Sequence, residues 1–190
     1  PVGSASGWLN RTLEVLGGTS SQGIAVGGPL PLSMQGRIPV ATLAPSALRP
    51  GNEAFIDDLS QLYNLDPVLA DPFTAALTLQ EQAMALAGGS SKRGLAQFEQ
   101  LFAATGRFLN APDGARIAAL EFSGWDTHAG QGLANGTLDR RLNALATGLL
   151  ALKAEFSADA WSKTVVVVAT EFGRTVATNG SGGTDHGNGG

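Results

Sequence analysis

Thr164 to Ala169 reads Thr-Val-Val-Val-Val-Ala, and no other stretch restricts the fold so strongly. A β-branched run that is apolar on both faces suits a central strand of a parallel sheet covered on both sides. Upstream, Leu138, Leu142, Leu145, Leu149, Leu152 and Phe156 recur every three or four residues, as an amphipathic helix requires. Before that, residues 116–122 (Arg-Ile-Ala-Ala-Leu-Glu-Phe) form a mostly apolar run and a further strand candidate. Strand, long helix, strand predicts a βαβ unit with a right-handed crossover.

The first part of the chain fits the same class. Residues 7–16 place Leu9, Leu13 and Leu16 on one helical face, with Gly17-Gly18 as a stop. Residues 22–27 read as a short buried strand, and a second short strand is expected near Ile38 to Leu43 after a Pro/Gly-rich connection. From 52 to 110 the pattern turns helical. Phe55, Ile56, Leu59, Leu62 and Tyr63 form one stripe; Phe73, Ala76, Leu77 and Met84 a second; Leu95, Phe98, Leu101, Phe102 and Phe108 a third. Such stripes are read as core packing. The expected organisation is one partial domain over 1–190: a sheet-associated segment (1–51), a helical cap or insertion (52–110) and a βαβ core (111–190). The fold class is α/β, a mostly parallel sheet flanked by helices.

Composition narrows the functions. Hydrophobic residues make up 43% and charged residues 15% of 190 residues, which favours a packed core over disorder. The net charge is -4 and no basic run occurs, so nucleic acid is not an expected partner. No apolar stretch reaches the ~18 residues of a membrane span. The absence of cysteine removes disulfides, thiolate metal sites and cysteine nucleophiles together. Pro1 and the ending Gly189-Gly190 lead us to expect a fragment truncated at both ends.

Ligands in open α/β sheets collect beyond the carboxyl ends of the strands. After the first predicted strand come Gly124-Trp125-Asp126-Thr127-His128. After the second come Thr170-Glu171-Phe172-Gly173-Arg174-Thr175 and then Asn179-Gly180-Ser181-Gly182-Gly183-Thr184-Asp185-His186-Gly187. Both loops are expected to open on the same edge of the sheet. The chain has two histidines, and each has a carboxylate beside it in sequence. Neutral imidazole with carboxylate suits zinc, manganese or iron; carboxylate-rich sets suit magnesium or calcium. Asp126, His128, Glu171, Asp185 and His186 are therefore the candidate metal ligands, for one or two divalent ions. Glu171 could instead orient a ligand histidine. Arg174 offers a planar cationic fork for a tetrahedral oxyanion; the alternative is that it only pairs with Glu171 or Asp126. The bland alternative is that Asp126 and Asp185 only cap turns. The Gly-rich stretch from Gly180 lacks P-loop spacing, which argues against nucleotide binding.

The ordered series Gly7-Trp8-Leu9-Asn10-Arg11, Gly124-Trp125-Asp126-Thr127-His128 with Gln131, Thr170-Glu171-Phe172-Gly173-Arg174-Thr175 and Gly183-Thr184-Asp185-His186-Gly187 resembles the bacterial family called domain of unknown function 1501. That family is similar to the alkaline-phosphatase/sulfatase superfamily. The resemblance implies an alkaline-phosphatase-like fold, with Asp126/His128 and Asp185/His186 as two ligand pairs and Glu171 as a further ligand. It also implies a Ser or Thr nucleophile upstream of this chain, and export to the periplasm on a twin-arginine signal. The superfamily puts Asp-His directly after the strand, whereas here Glu171 holds that place and Asp185 follows fourteen residues later. The expected function is metal-dependent hydrolysis of phosphate or sulfate esters, small-molecule or polysaccharide. The alternative is a non-catalytic exported protein whose metal is structural or docks a partner.

Overall fold

The computed structural model describes residues 6–18, 22–43, 52–87, 94–112 and 114–189. Readings that fall on 1–5, 19–21, 44–51, 88–93, 113 and 190 lie outside the described residues. The chain divides into two compact units, Pro1–Ser91 with Arg107–Glu121 and Lys92–Gly106 with Phe122–Gly190.

The first unit is built on a small parallel sheet. Its strands are β1 (Gly23–Val26), β2 (Ala41–Leu43) and β3 (Ile117–Leu120), in the order β2-β1-β3. Ile24 sits opposite Ala41 on one side and Ala118 on the other. β1 is buried along its whole length, as a central parallel strand with covered faces should be. Helix α1 (Trp8–Val15) lays Leu13 against Ala25 and Met34, and Leu9, Leu30, Ile38, Val40, Ile117 and Ala119 close around them. Gly23 admits this approach, because a Cβ there would come within 2.7 Å of Leu13 Cδ1. Apolar burial of this kind stabilises by about 25 cal/mol per Å² removed from water.

Asn10, on the same helix, is fully buried, and its amide explains why a polar side chain is tolerated there. Nδ2 donates to Met34 O (2.9 Å) and Ile38 O (2.7 Å), and Oδ1 accepts from Ile38 N (3.1 Å). The irregular segment from the 3-10 turn Leu32–Met34 to Ile38 thereby finds partners for backbone groups that no strand pairs.

Helices α2 (Glu53–Tyr63) and α3 (Pro67–Ala87) follow in the same unit. Asn52 caps α2 by accepting from Ala54 N, and Asp66 Oδ1 accepts from Val68 N at the start of α3. Tyr63 and Phe73 meet edge to face at 4.9 Å. The helices are where the periodicity put them, but their stripes are not core. Phe55 and Leu62 are 58% and 59% exposed, and Met84 is 39% exposed. A stripe is buried only where another element covers it; here α2 and α3 chiefly meet each other.

The second unit contains the N-terminal part of α4 (Leu95–Asn110), α5 (Thr137–Ala154), the short α6 (Ala158–Ser162), and the strands β4 (Gly173–Thr178) and β5 (Thr184–Gly187). α4 and α5 approach closely where one lacks a side chain. A Cβ on Gly148 would lie 2.6 Å from the Phe102 ring, and one on Gly106 would lie 2.8 Å from Leu152 O.

The four valines are the main correction. Residues 164–170 carry no strand pairing, and Val165, Val167 and Val168 are 85%, 66% and 62% exposed. A strand exists only with a partner for its ladder, and this run has none among the described residues. The expected βαβ unit is therefore not completed. The following segment, read from the sequence as loop, forms the antiparallel ribbon β4–β5 instead. No described helix is long and apolar enough to cross a membrane.

Replacing Asn10 with Leu should strand Met34 O, Ile38 O and Ile38 N and cost roughly 3 kcal/mol. Urea denaturation measures this; an unchanged midpoint would contradict the role given to Asn10.

Candidate metal centre

The site lies wholly within the second unit, between the segment 122–131 and the ribbon β4–β5. Phe122 stacks on Phe98 of α4 at 3.8 Å and meets Trp125 at 5.0 Å, which fixes the start of the segment. Gly124 turns it with φ 89°, a conformation that disfavours a side chain, and the Arg141 guanidinium packs into the space left open. Arg141 also donates to Ser123 O (2.8 Å).

Beyond Trp125 the segment is joined to the ribbon by backbone bonds. Gly130 N donates to Ser181 O, Gln131 N to Gly182 O and Thr184 N to Thr127 O. At Gly183 the two chains press together so closely that a Cβ would overlap the Thr127 and His128 carbonyls. The register of β4 and β5 shifts between Arg174–His186 and Thr178–Thr184. Asn179 governs this turn. Its Oδ1 accepts from Ser181 N and Gly183 N, while its Nδ2 donates to His128 O and to Asp185 Oδ1 (2.9 Å each).

Asp126, His128 and His186 offer one ligand atom each, all within 4.8 Å of one another, and all three residues are exposed. His128 Nε2 lies 3.1 Å and His186 Nε2 3.0 Å from the same oxygen, Asp126 Oδ1. A tetrahedral zinc ion with bonds of about 2.0–2.1 Å keeps its ligand atoms roughly 3.3 Å apart. The two contacts to Asp126 Oδ1 thus fall within a few tenths of an ångström of that spacing. The triad is of the kind that can hold a divalent metal ion, and among the described residues it is the one such grouping.

The five expected ligands separate into roles. Asp185 stands behind His128: its Oδ1 lies 3.1 Å from Nδ1, on the far side of the ring from Asp126. A carboxylate on one ring nitrogen orients a histidine whose other nitrogen binds metal. Glu171 was the carboxylate considered for that position; the one found at the His128 Nδ1 is Asp185. Glu171 lies on the exposed bend before β4 and contributes no atom to the triad. Asp185 and His186 sit on a strand rather than on an irregular loop.

Arg174 pairs with Asp126, one of the two readings its position allowed. Nη1 donates to Thr184 O, and Nη2 donates to Trp125 O (2.9 Å) and Asp126 Oδ1 (2.6 Å). Both ends of its fork thus bond the two halves of the site. Phe172 lies between this guanidinium (4.8 Å) and the His186 ring, on which it stacks at 4.3 Å. Asn179 and Phe172 had no role assigned from the sequence. An Asn opening a Gly-rich turn was a legible signal for the first; the second needed the ribbon.

The carboxylates respond to these neighbours. Asp126 is held below its ordinary value of 3.8, first by the His186 hydrogen bond and further by the charges of both histidines and the Arg174 bond, against some desolvation. Asp185 is lowered too, first by Asn179 and then by His128.

The chain belongs to the family described as "Protein of unknown function (DUF1501)", whose model matches residues 2–190. No curated protein matches the chain, and no solved structure does.

A carboxyl whose folded value is depressed stabilises fully above its unfolded value and loses that contribution as pH falls through the lower folded value. NMR titration of Asp126 should therefore give a midpoint below 3.8, and His186→Ala should move it upward. A midpoint unchanged by His186→Ala would contradict the assigned contact.

Proposed function

Within this family of unknown function, we propose that the chain is a metal-dependent hydrolase of phosphate or sulfate esters, with its ion held by Asp126, His128 and His186. The observation that carries the reading is the meeting of both histidines on one carboxylate oxygen from segments 60 residues apart. Two imidazoles and one carboxylate form a borderline donor set that favours zinc or manganese over calcium or magnesium. Three protein donors are also what catalytic zinc sites use, the remaining position being left for water or substrate.

A divalent ion, when bound, supplies Lewis-acid polarisation of an ester oxygen and lowers the pKa of an attacking hydroxyl or water. The chain's own residues prepare the place. Asp185 keeps His128 Nε2 aimed at Asp126. Asn179 holds Asp185 by its Nδ2. Arg174 and Phe172 fix the carboxylate and the second imidazole. The exposure of all three donors leaves room for a bulky ester, small-molecule or polysaccharide.

Elemental analysis should find about one divalent ion per chain, lost in the His128→Ala, His186→Ala double variant. Hydrolysis of an aryl phosphate or aryl sulfate, assayed with zinc or manganese, should fall by at least ~100-fold in that variant. Metal without hydrolysis in the parent would leave a metal-containing binding protein. Full hydrolysis in the variant would remove the hydrolase reading.

A further inference from the structure

Thr127 and Thr184 are two of the few buried polar residues among those described, each only 6% exposed. Neither touches the triad's ligand atoms. Thr127 stands between Asp126 and His128, and Thr184 immediately precedes Asp185-His186. Both hydroxyls donate to one acceptor, Gln131 Oε1, at 2.9 and 2.8 Å. Gln131 is tied on its main chain as well. Its N–H donates to Gly182 O (3.0 Å), and its carbonyl accepts from Leu138 N (3.2 Å) in the first turn of α5.

The geometry points to Gln131 as the positioning residue that sets the spacing of the metal ligands. A carbonyl oxygen has two lone pairs, so one amide can hold one hydroxyl from each ligand segment at once. No other side chain among those described joins a Thr127 hydroxyl to a Thr184 hydroxyl. Gln131 Oε1 thus ties the Asp126/His128 segment to the Thr184–His186 segment through both buried hydroxyls, beside the bridges made by Arg174 and Asn179, and Gln131 is itself tied to the start of α5. Outer partners that fix ligand geometry typically change metal affinity about 10–100-fold when removed. The inference rests on the triad being a cation site.

The test uses cobalt(II) as probe on the full chain, with affinity from titration and coordination from the visible absorption bands. Gln131→Met keeps the length of the side chain and deletes the acceptor. It should weaken cobalt binding about 10–100-fold and alter the band positions. Gln131→Glu keeps an acceptor oxygen for both hydroxyls, and its added charge favours a cation, so it should restore affinity and spectrum. A purely structural residue would shift the melting temperature while leaving the spectrum of the bound fraction unchanged. Thr184→Val, which removes one hydroxyl at nearly constant volume, provides the same reading should Gln131→Met not fold. Where both variants fold, the double variant should bind cobalt no more weakly than Gln131→Met alone. A parent-like spectrum and affinity in Gln131→Met or Thr184→Val, with the parent binding cobalt, overturns the role of Gln131 alone. A parent that binds no cobalt overturns the cation site first.

Discussion

One carboxylate oxygen, Asp126 Oδ1, receives His128, His186 and Arg174, the last two from positions 60 and 48 residues away. Three partners on one oxygen stabilise its negative charge and crowd it, so that they compete for the same lone pairs. Such an arrangement is favourable only when the neighbours are held in place, since exposed ion pairs by themselves contribute little. The rest of the second unit answers to that need. Backbone bonds join 127–131 to 181–184, Gly183 permits the contact, and Asn179, Gln131 and Phe172 hold Asp185, the two neighbouring threonines and His186 in turn.

The two histidines are not equivalent. His128 is gripped on both ring nitrogens, by Asp126 and by Asp185. His186 is held by Asp126 on one nitrogen and by the Phe172 ring on its face, nearly parallel at 14°. The first is oriented by charge and the second by stacking. That asymmetry gives the site one rigid imidazole and one whose orientation depends on the ribbon keeping its shape.

The sequence pattern carried the small parallel sheet, because β1 is buried on both faces and its apolar run says so. It carried the helices, because a period of 3.6 residues needs no knowledge of the partner. It misled at Thr164–Ala169, where β-branched residues announce a propensity that only a pairing neighbour can realise. It misled again at Phe55 and Leu62, whose stripe implies a cover that the described chain does not provide. For the site, Asp126, His128 and His186 were legible as the chain's histidines with their nearest acid. That Asp185 and not Glu171 meets the His128 ring was not, since Glu171 lies on the bend before β4 and only the pairing of β5 with that ribbon brings Asp185 to the ring. The pairing of Arg174 with Asp126 was legible as an alternative; its bonds to the Thr184 and Trp125 carbonyls were not, because they depend on how the ribbon meets the segment before it.

The central claim is that Asp126, His128 and His186 together hold one cation. X-ray absorption at the metal edge of the zinc-loaded full chain tests it most directly. The account predicts a nitrogen/oxygen shell at about 2.0–2.1 Å with the multiple-scattering signature of two imidazoles, reduced to one in His186→Ala. A shell of oxygens alone, or an unchanged imidazole signature in His186→Ala, would contradict it.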